Sequence, residues 1–263
     1  MATRTILLDV GGTFIKCSDG RQIPINSDGT REEIEASLTS AVGDACEVAV
    51  AIPGPFDYNH GIFLMKHKFT SVYGMKFEDL CGGKGKTFHF IHDVNVMLLG
   101  EMTSGEGKGF NRTALIALGT GLGFSMSIDG KILENEFGSP AVHIWNTPYQ
   151  DGILEDYVSK RGFLRGLDGI TVKELAQKAY EGNAEAISRF NECAAILAQA
   201  IRPVLKEYRI ECLLFGGQIS RSFGLLEPVL SEGLKDLGLK KISRISDIDN
   251  ATFNGLRSVS SLS

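Results

Sequence analysis

An internal repeat constrains the fold of this chain more than any other sequence feature. When the sequence is shifted by 110 residues, short apolar segments, glycine turns and Asp-Gly pairs fall on one another. The matching pieces are Ile6-Leu7-Leu8 with Ile116-Ala117-Leu118, Gly11 with Gly121, and Asp19-Gly20 with Asp129-Gly130. Asp-Gly between two apolar runs predicts a hairpin turn. Each half is therefore predicted to open with a strand, a Gly/Thr turn, a strand, an Asp-Gly turn and a strand.

Helices are predicted to follow these strands in each half. Thr30-Arg31-Glu32-Glu33 and Thr171-Val172-Lys173-Glu174 have the pattern of capping boxes, which begin helices. A longer helix is predicted over 184–208, and Pro203 is expected to kink or end it. Short apolar runs predict strands at 47–52, 87–92 and 211–215. Alternating strands and helices predict an α/β chain with mainly parallel sheet cores.

Length and charge exclude several classes of protein. A chain of 263 residues corresponds to about two domains. It carries 27 Lys and Arg against 32 Asp and Glu, a net charge of −5, with no basic cluster. We therefore expect no nucleic-acid partner and no membrane partner. The N-terminus lacks the apolar core of a signal peptide, and no run approaches the ~18 apolar residues of a membrane helix.

The cysteines indicate a reducing compartment. The five cysteines are odd in number, widely scattered and never spaced as CxxC. A disulfide framework is therefore not expected, and a cytoplasmic location is the simpler interpretation.

The first Gly/Thr turn is a candidate phosphate site. Asp9 and Val10 close a predicted strand, and Gly11, Gly12 and Thr13 follow at once. Glycines allow backbone N–H groups to approach an anion closely. Lys16 lies on the next predicted strand, and Asp9 could hold a hydrated divalent cation. A plain hairpin turn remains the alternative interpretation.

Two further glycine segments favour nucleotide binding. Gly119, Thr120 and Gly121 form the equivalent turn of the second half, so two turns could hold one phosphate chain. Gly216 and Gly217 follow an apolar strand and precede a predicted helix, where a ligand can lie against the backbone. Taken alone, each segment could also be an ordinary tight turn.

The ordered set of motifs resembles the ROK family of sugar kinases and sugar-responsive repressors. The two Gly/Thr turns and Leu214–Ser220 resemble its phosphate-1, phosphate-2 and adenosine segments. The other matching pieces are Ile52-Pro53-Gly54-Pro55-Phe56-Asp57, His92-Asp93-Val94-Asn95, Glu136-Phe137-Gly138 and Gly152-Ile153-Leu154-Glu155. The resemblance implies a duplicated actin/hexokinase-like (ribonuclease H-like) α/β fold with a central cleft. The expected domains are 1–104, rejoined by a C-terminal helix near 249–263, and 105–248.

The resemblance also implies site residues and cofactors. Asp93 is implied to be the catalytic base that takes the proton of a sugar hydroxyl, although it could also cap the following helix. Residues implied to contact the sugar are Gly54, His92, Asp93, Glu136, Ser139 and Glu155. ATP and Mg²⁺ are the implied cofactors. His92 and Ser139 stand where the family has Asn and His, which leaves the choice of sugar open.

Zinc is not expected. Many family members hold a structural zinc with a His and three cysteines, but Ser139 and Ile153 occupy two of those positions. No cysteine lies between Cys81 and Cys193. The site therefore lacks its usual ligands, and no protein metal site is predicted.

The predicted function is ATP-dependent phosphorylation of a hexose or amino sugar. A sugar-binding sensor without catalysis is the main alternative, although the first predicted strand leaves no room for the N-terminal helix-turn-helix of family repressors. A kinase using polyphosphate is a third reading, which would need a basic groove. A small-molecule sugar is the expected partner, and a homodimer stays open.

Overall fold

The computed structural model describes residues 4–259 of the chain. These residues divide into two compact units. Unit 1 contains the described residues up to Thr103, the segment Glu134–Ala141, and the described residues from Asp249 onward. Unit 2 contains Ser104–Leu133 and Val142–Ile248.

The described strands alternate with the helices along the chain. The strands are β1 (Thr5–Val10), β2 (Phe14–Cys17), β3 (Gln22–Pro24), β4 (Glu47–Ile52), β5 (Phe56–Asp57), β6 (Ile62–Phe63), β7 (Thr87–His92), β8 (Arg112–Leu118), β9 (Leu122–Ile128), β10 (Lys131–Ile132), β11 (Pro148–Tyr149), β12 (Gly152–Ile153), β13 (Cys212–Gly216) and β14 (Lys241–Arg244). The α-helices are α1 (Arg31–Val42), α2 (Phe77–Leu80), α3 (Asp93–Ser104), α4 (Leu154–Val158), α5 (Lys160–Phe163), α6 (Val172–Tyr180), α7 (Ala184–Glu207), α8 (Glu227–Leu234) and α9 (Ile248–Val259). Short 3₁₀ helices occur at Thr70–Val72, Gln218–Leu225 and Lys235–Leu237.

Unit 1 is built on a five-stranded sheet in the order β3-β2-β1-β4-β7. The first three strands of the chain pair antiparallel, and β4 then pairs parallel with both β1 and β7. Alternation along β1 sends Leu8 and Val10 to the face covered by α1, where Ile34 and Leu38 are buried. Leu7 points to the other face, in a cluster with Val96 of α3 and Leu256 of α9. The result is three layers, with helices on both faces of the sheet.

Unit 2 repeats the strand order of unit 1. Its sheet has the order β10-β9-β8-β13-β14, again with three antiparallel strands followed by two parallel additions. The long helix α7 and helices α4, α6 and α8 contribute buried side chains to one core with the sheet. The repeat predicted from the sequence is therefore present as two sheets of equal strand order.

Short sequence patterns correctly predicted several helix starts and strands. The capping boxes at Thr30 and Thr171 are formed, each with the glutamate three residues later. The predicted strands at 47–52 and 87–92 are confirmed, and the strand predicted at 211–215 lies one residue later.

The helix predicted over 184–208 is confirmed as α7, and it continues past Pro203 to Glu207, so Pro203 does not end it. Proline removes one backbone hydrogen bond. However, Ile201 and Leu205 on either side of it are buried in the core of unit 2. Tertiary packing therefore outweighs the local preference.

The segment Glu134–Ala141 groups with unit 1, although the sequence analysis assigned it to the second domain. Two hydrogen bonds account for this. The Tyr58 N–H donates to the Phe137 carbonyl over 2.9 Å, and the Asn95 side chain donates to the Gly138 carbonyl over 3.4 Å. Among residues 4–259, no helix has the length and apolar character needed to cross a membrane.

Candidate active site

The carboxyl ends of the parallel strands bring the predicted polar residues of unit 1 together. Asp9 lies near the end of β1, Gly54 follows β4, and His92 closes β7 directly before Asp93. Pairing of Asp9 with Ala51 and of Ile52 with His92 sets these ends side by side. Because side chains alternate along a strand, Asp9 shares the face of Leu7, which α3 and α9 cover.

The carboxylate of Asp93 is held in its charged form. Burial by itself would raise the pKa of Asp93, but the charge and hydrogen bond of His92, the charge of Lys68 and the Val94 N–H together lower it. The Nδ1 atom of His92 lies 2.9 Å from Oδ1 of Asp93, and the Val94 N–H donates to the same oxygen over 2.8 Å. The side chain of Asp93 is still 39% exposed, so a ligand can reach it.

The hydrogen bond from Val94 also shows how Asp93 begins helix α3. The residue satisfies one of the N–H groups that a helix start leaves unpaired. That N–H belongs to the next residue, whereas a capping side chain accepts from the second or third N–H of the helix, so capping by Asp93 stays a prediction.

The pKa of Asp9 is shifted in the opposite direction to that of Asp93. Burial is the largest cause that raises the pKa of Asp9; Lys16 lowers it, the charges of Asp93 and Asp249 raise it, and the result is a pKa of about 6. Lys16 itself is paired with Asp249, with Nζ and Oδ1 2.5 Å apart. Three carboxylates of unit 1 thus influence one another, and a cation bound at Asp9 would relieve their repulsion.

The first Gly/Thr turn presents backbone N–H groups. The Gly11 N–H donates to the Phe14 carbonyl over 3.0 Å, which closes the turn. Within the described chain, the N–H groups of Gly12 and Thr13 have no acceptor, while their carbonyls accept from Ser27 and Ile25. Two adjacent unpaired N–H groups in a glycine turn are suited to binding an anion.

The imidazole of His92 lies between the chain after β4 and a tyrosine. The His92 side chain is only 17% exposed, and its ring centroid lies 5.7 Å from that of Tyr58. Tyr58 is itself fixed by a 2.9 Å hydrogen bond from its hydroxyl to the Ile52 carbonyl. A Cβ atom on Gly54 would be 3.5 Å from both the His92 ring and the Tyr58 hydroxyl. The small residue therefore keeps the space beside His92 open.

Glu136 and Ser139 lie on a loop organised by Asn135. The Asn135 side chain accepts from the N–H groups of Phe137 and Ser139, over 2.9 and 3.1 Å. The side chain of Glu136 is exposed, and its carbonyl accepts from Asn59 over 2.7 Å. The loop holds both predicted sugar-contacting residues in unit 1, with Ser139 partly buried.

Two residues that the sequence analysis did not select connect this loop to the start of α3. Asn95 is fully buried and donates to the Glu134 carboxylate over 3.0 Å. Its position two residues after Asp93 was a usable signal, because it belongs to the quoted His-Asp-Val-Asn motif. Glu134 carried no signal, since its partner is distant in sequence.

Lys68 is a further residue that sequence reasoning missed. Its side chain is partly buried, and burial lowers its pKa while the charge of Asp93 raises it. It precedes Phe69, a fully buried residue with a left-handed backbone, φ 55°. Neither spacing nor a motif connects Lys68 with Asp93, so only the fold reveals the electrostatic interaction between them.

In unit 2 the second Gly/Thr turn repeats the properties of the first. The Gly119 N–H donates to the Gly121 carbonyl over 3.0 Å. The N–H groups of Thr120 and Gly121 have no acceptor among residues 4–259. The turn is one residue shorter than the first, because Leu118 pairs with Leu122 whereas Val10 pairs with Ile15.

Glu155 supports this second turn. Its carboxylate accepts from the Leu122 N–H over 2.8 Å and pairs with Arg161 over 2.9 Å. A Cβ atom on Gly121 would lie 2.8 Å from the same carboxylate. Within unit 2, both oxygens of Glu155 therefore already have partners.

Gly216 and Gly217 meet the second turn at the same edge of the sheet. Gly216 pairs with Ala117, two residues before the turn. Gly217 has a φ of 80°, and a Cβ atom there would lie 2.2 Å from the Leu118 carbonyl oxygen. Only glycine fits this approach. The structure thus brings together the second turn and the Gly-Gly segment that the sequence analysis selected in unit 2.

A magnesium ion fits the donors of unit 1 better than a softer metal does. Mg²⁺ keeps several waters and binds through one or two carboxylates, as Asp9 could provide. Burial is the main cause of the raised pKa of Asp9, and the charges of Asp93 and Asp249 add to it, so a cation at Asp9 would offset the repulsion between these carboxylates. No cluster of three or more His, Cys, Asp or Glu residues suited to a metal occurs in the described part of the chain.

The fold defines the class of this protein. Two five-stranded sheets of equal order, with three antiparallel strands followed by two parallel ones, make the duplicated ribonuclease H-like fold of the actin/hexokinase class. The solved structure of a glucokinase from Streptomyces griseus, in complex with glucose and AMPPNP, superposes with a TM-score of 0.78. It is 20% identical, with 97% of this chain and 98% of that chain covered.

The chain belongs to the ROK family, whose model matches residues 26–253. Among curated relatives, the glucokinase of Thermotoga maritima is 25% identical over 222 residues, covering 73% of this chain and 70% of that protein. The DNA-binding transcriptional repressor Mlc of Escherichia coli is 22% identical over 232 residues, covering 79% of this chain and 57% of the repressor. The relatives thus include both kinases and a regulator.

Proposed function

We propose that the protein is a sugar kinase that transfers the γ-phosphoryl group of ATP to a hydroxyl of a hexose or amino sugar. The observation that carries the proposal is the state of Asp93. It is ionised, 39% exposed and aligned by His92 at the carboxyl end of β7. A carboxylate in this state can accept a proton, which a protein that only bound sugar would not require.

The proposed chemistry assigns the proton and the phosphoryl group to separate parts of the chain. Asp93 accepts the hydroxyl proton as the sugar oxygen attacks the γ-phosphorus, and the bond from that phosphorus to the bridging oxygen of ADP breaks. The unpaired N–H groups at Gly12 and Thr13 and at Thr120 and Gly121 bind phosphate oxygens. Gly216 and Gly217 hold the adenosine part against the backbone, as their counterparts in the family imply.

Asp9 and Lys16 complete the proposed phosphate site of unit 1. Asp9 would hold Mg²⁺ through a carboxylate or a bound water, and the ion, when bound, neutralises charge on the phosphates. Lys16 is paired with Asp249 and can exchange that partner for a phosphate oxygen.

The proposed sugar contacts come from Gly54, His92, Asp93, Glu136 and Ser139. His92 offers a donor and an acceptor in its neutral form, and Gly54 leaves space beside it. Glu155 is the weakest candidate for sugar binding, because Leu122 and Arg161 already occupy its carboxylate. In the variant Glu155→Gln, a higher KM for ATP would assign it to the phosphate turn, and a higher KM for the sugar would assign it to the substrate.

A coupled assay that detects ADP tests the proposed function. Hexoses and amino sugars are screened with ATP and Mg²⁺, with Asp93→Asn as the inactive control and Asp79→Asn, an exposed residue of the same unit, as the matched active control. We expect sugar-dependent ADP formation by the parent and by Asp79→Asn only. Absence of turnover with every sugar, or equal turnover by Asp93→Asn, would reject the proposal.

A sugar-binding regulator is the second candidate, and the relationship to the repressor Mlc favours it. Calorimetry with the same sugars separates the two functions. Saturable sugar binding without ADP formation at any ATP concentration would favour the regulator.

A further inference from the structure

A second concave site lies in unit 2, at the opposite end of the sheet from the glycine segments. It is a cavity of about 440 Å³ between the end of α7, the start of β13 and the loop before β14. Ile210 and Glu211 line it and precede β13, whereas Gly216 closes that strand. The five residues of β13 separate the two ends by roughly 13 Å, at about 3.3 Å per residue. The cavity is therefore distinct from the proposed nucleotide turns.

The lining of this cavity is basic in an otherwise acidic chain. Its charged side chains are Arg202, Lys206, Arg209, Lys240, Glu211 and Asp236, which gives a local charge of +2. The whole chain has a charge of −5. The sign of the charge is thus reversed at this cavity.

Two of the four cations are already neutralised. Both terminal nitrogens of Arg202 contact the two oxygens of Asp236, over 2.8 and 2.7 Å. Lys240 pairs with Glu211. Lys206 and Arg209 form no salt bridge in the described part of the chain, and both are exposed, although the charge of Lys206 contributes to lowering the pKa of Asp236. They carry the excess charge.

Cations at the end of a helix often serve only to satisfy its last carbonyls. Here those carbonyls have other partners. The Val204, Leu205 and Lys206 carbonyls accept from backbone N–H groups of residues 208–210, over 3.0 to 3.2 Å. The Tyr208 carbonyl accepts from the Arg112 guanidinium over 2.9 Å. The charged ends of Lys206 and Arg209 are therefore not needed to cap α7.

Arg209 follows the end of α7 and has an unusual backbone conformation. Its φ of 51° lies in the left-handed region, at the position after a helix where glycine is the usual residue. An arginine there accepts backbone strain that glycine would avoid. The backbone conformation therefore does not favour an arginine at this position, and the side chain of Arg209 is exposed.

We propose that this cavity binds the dianionic phosphate group of a small molecule through Lys206 and Arg209. Two uncommitted positive charges match the two negative charges of a phosphate, and a guanidinium can donate two parallel hydrogen bonds to it. The volume suits inorganic phosphate or a phosphorylated sugar. This site is independent of the proposed kinase activity.

Equilibrium dialysis with radiolabelled inorganic phosphate tests the proposal. The full chain is titrated at constant ionic strength, with saturating AMPPNP present to block the nucleotide turns. The pocket variant is Lys206→Gln/Arg209→Gly, in which glycine relieves the left-handed backbone, so the fold is retained. The matched control is Lys173→Gln/Lys178→Gln, which removes two charges from exposed positions on α6 of the same unit. Glucose 6-phosphate is added as a competitor to distinguish a phosphorylated sugar from free phosphate as the preferred ligand.

We expect one saturable phosphate site per chain in the presence of AMPPNP. The pocket variant should bind at least about tenfold more weakly, because two charge-assisted contacts are lost, and the control should bind like the parent. Equal affinity of the pocket variant and the control, or no saturable binding by the parent, would overturn the proposal.

Discussion

At the scale of single residues, unit 1 contains two carboxylates whose pKa values are shifted in opposite directions, Asp9 on β1 and Asp93 at the start of α3. His92, Lys68 and the Val94 N–H outweigh the burial of Asp93 and lower its pKa below the ordinary 3.8. Burial dominates at Asp9 and raises its pKa to about 6. Environments that separate two pKa values in this way are typical of functional sites. In this chain they are consistent with a proton acceptor at Asp93 and a cation ligand at Asp9.

Replacing Asp93 tests the role of base. Asp93→Asn keeps the shape of the side chain but removes the proton acceptor, so kcat should fall by about 10² to 10⁴, the usual contribution of a general base. The KM for the sugar should change by less than about threefold, because the lost interaction belongs to the transition state. Steady-state kinetics of the two variants Asp93→Asn and Asp79→Asn provide the measurement. A kcat within a few-fold of the parent would show that another group takes the proton.

Replacing Asp9 should change stability with a defined pH dependence. The pKa of Asp9 is about 6 in the folded state, against 3.8 as its ordinary value. Above pH 6 the folded chain therefore holds a carboxylate that it disfavours, at a cost of at most about 3 kcal/mol. Below pH 3.8 both states bind the proton and the cost disappears. Asp9→Asn should thus stabilise the metal-free protein at pH 7 and have little effect near pH 4.

Urea unfolding in EDTA at the two pH values measures this difference. Asp236→Asn is a control of opposite sign, because its hydrogen bond with Arg202 lowers the pKa of Asp236 to about 2. That replacement should destabilise the protein at pH 7, and the loss should fade as the pH drops toward 2. A destabilised Asp9→Asn protein at pH 7 would contradict the proposed cost of the Asp9 charge.

At the scale of elements, the candidate binding residues lie at the ends of the strands and not in their interiors. Each Gly/Thr turn has two N–H groups without acceptors among the residues that the structure describes, directly after the strand at the centre of its sheet. In unit 2 the Gly-Gly segment after β13 packs against the end of β8, with Gly217 next to Leu118. This close approach between the backbones of Gly217 and Leu118 fixes the position of the second Gly/Thr turn, which follows Leu118.

Replacing Gly217 tests this arrangement. Gly217→Ala would place a Cβ atom 2.2 Å from the Leu118 carbonyl oxygen in a left-handed backbone. We expect a loss of more than about 2 kcal/mol in the free energy of unfolding and weaker binding of AMPPNP, because the end of β8 must move. Thermal unfolding and calorimetry provide the two readouts.

Gly182→Ala is the matched control, with a φ of 89° in open space. It should lose only about 1 kcal/mol from the left-handed backbone and should bind AMPPNP normally. Equal effects of the two replacements would mean that the contact with Leu118 is unimportant.

At the scale of the whole molecule, the two units repeat one strand order and place a Gly/Thr turn at the same position in each. The segment Glu134–Ala141, however, belongs to unit 1 and follows β10 of unit 2. The repeat is therefore not a simple division of the chain into two halves. The first Gly/Thr turn makes its backbone hydrogen bonds with residues 14–27, which are close in sequence. The loop that carries Glu136 and Ser139, in contrast, joins unit 1 from a distant part of the chain.

The whole chain is expected to fold without zinc. Burial raises the pKa of Cys193 to about 12 and that of Cys81 to about 11, so neither thiol readily supplies a thiolate. Purified protein should contain far less than one zinc per chain by elemental analysis, and its Tm should be unchanged in EDTA. Stoichiometric zinc, or unfolding on chelation, would reveal a site among residues that the motif comparison did not select.

Sequence reasoning alone predicted the repeat, the two Gly/Thr turns, the capping boxes, and the strands that end at Ile52 and His92. These features depend on neighbouring residues, so their chemistry is visible in a short stretch of chain. Only the fold shows that Lys68 acts on Asp93, that Asn95 holds Glu134 and that Glu155 supports the second turn. Each of these outcomes depends on burial or on a partner far away in sequence, and neither is encoded in local spacing. A charged side chain becomes part of a functional site only when the fold determines which residues surround it and how far it is exposed to water.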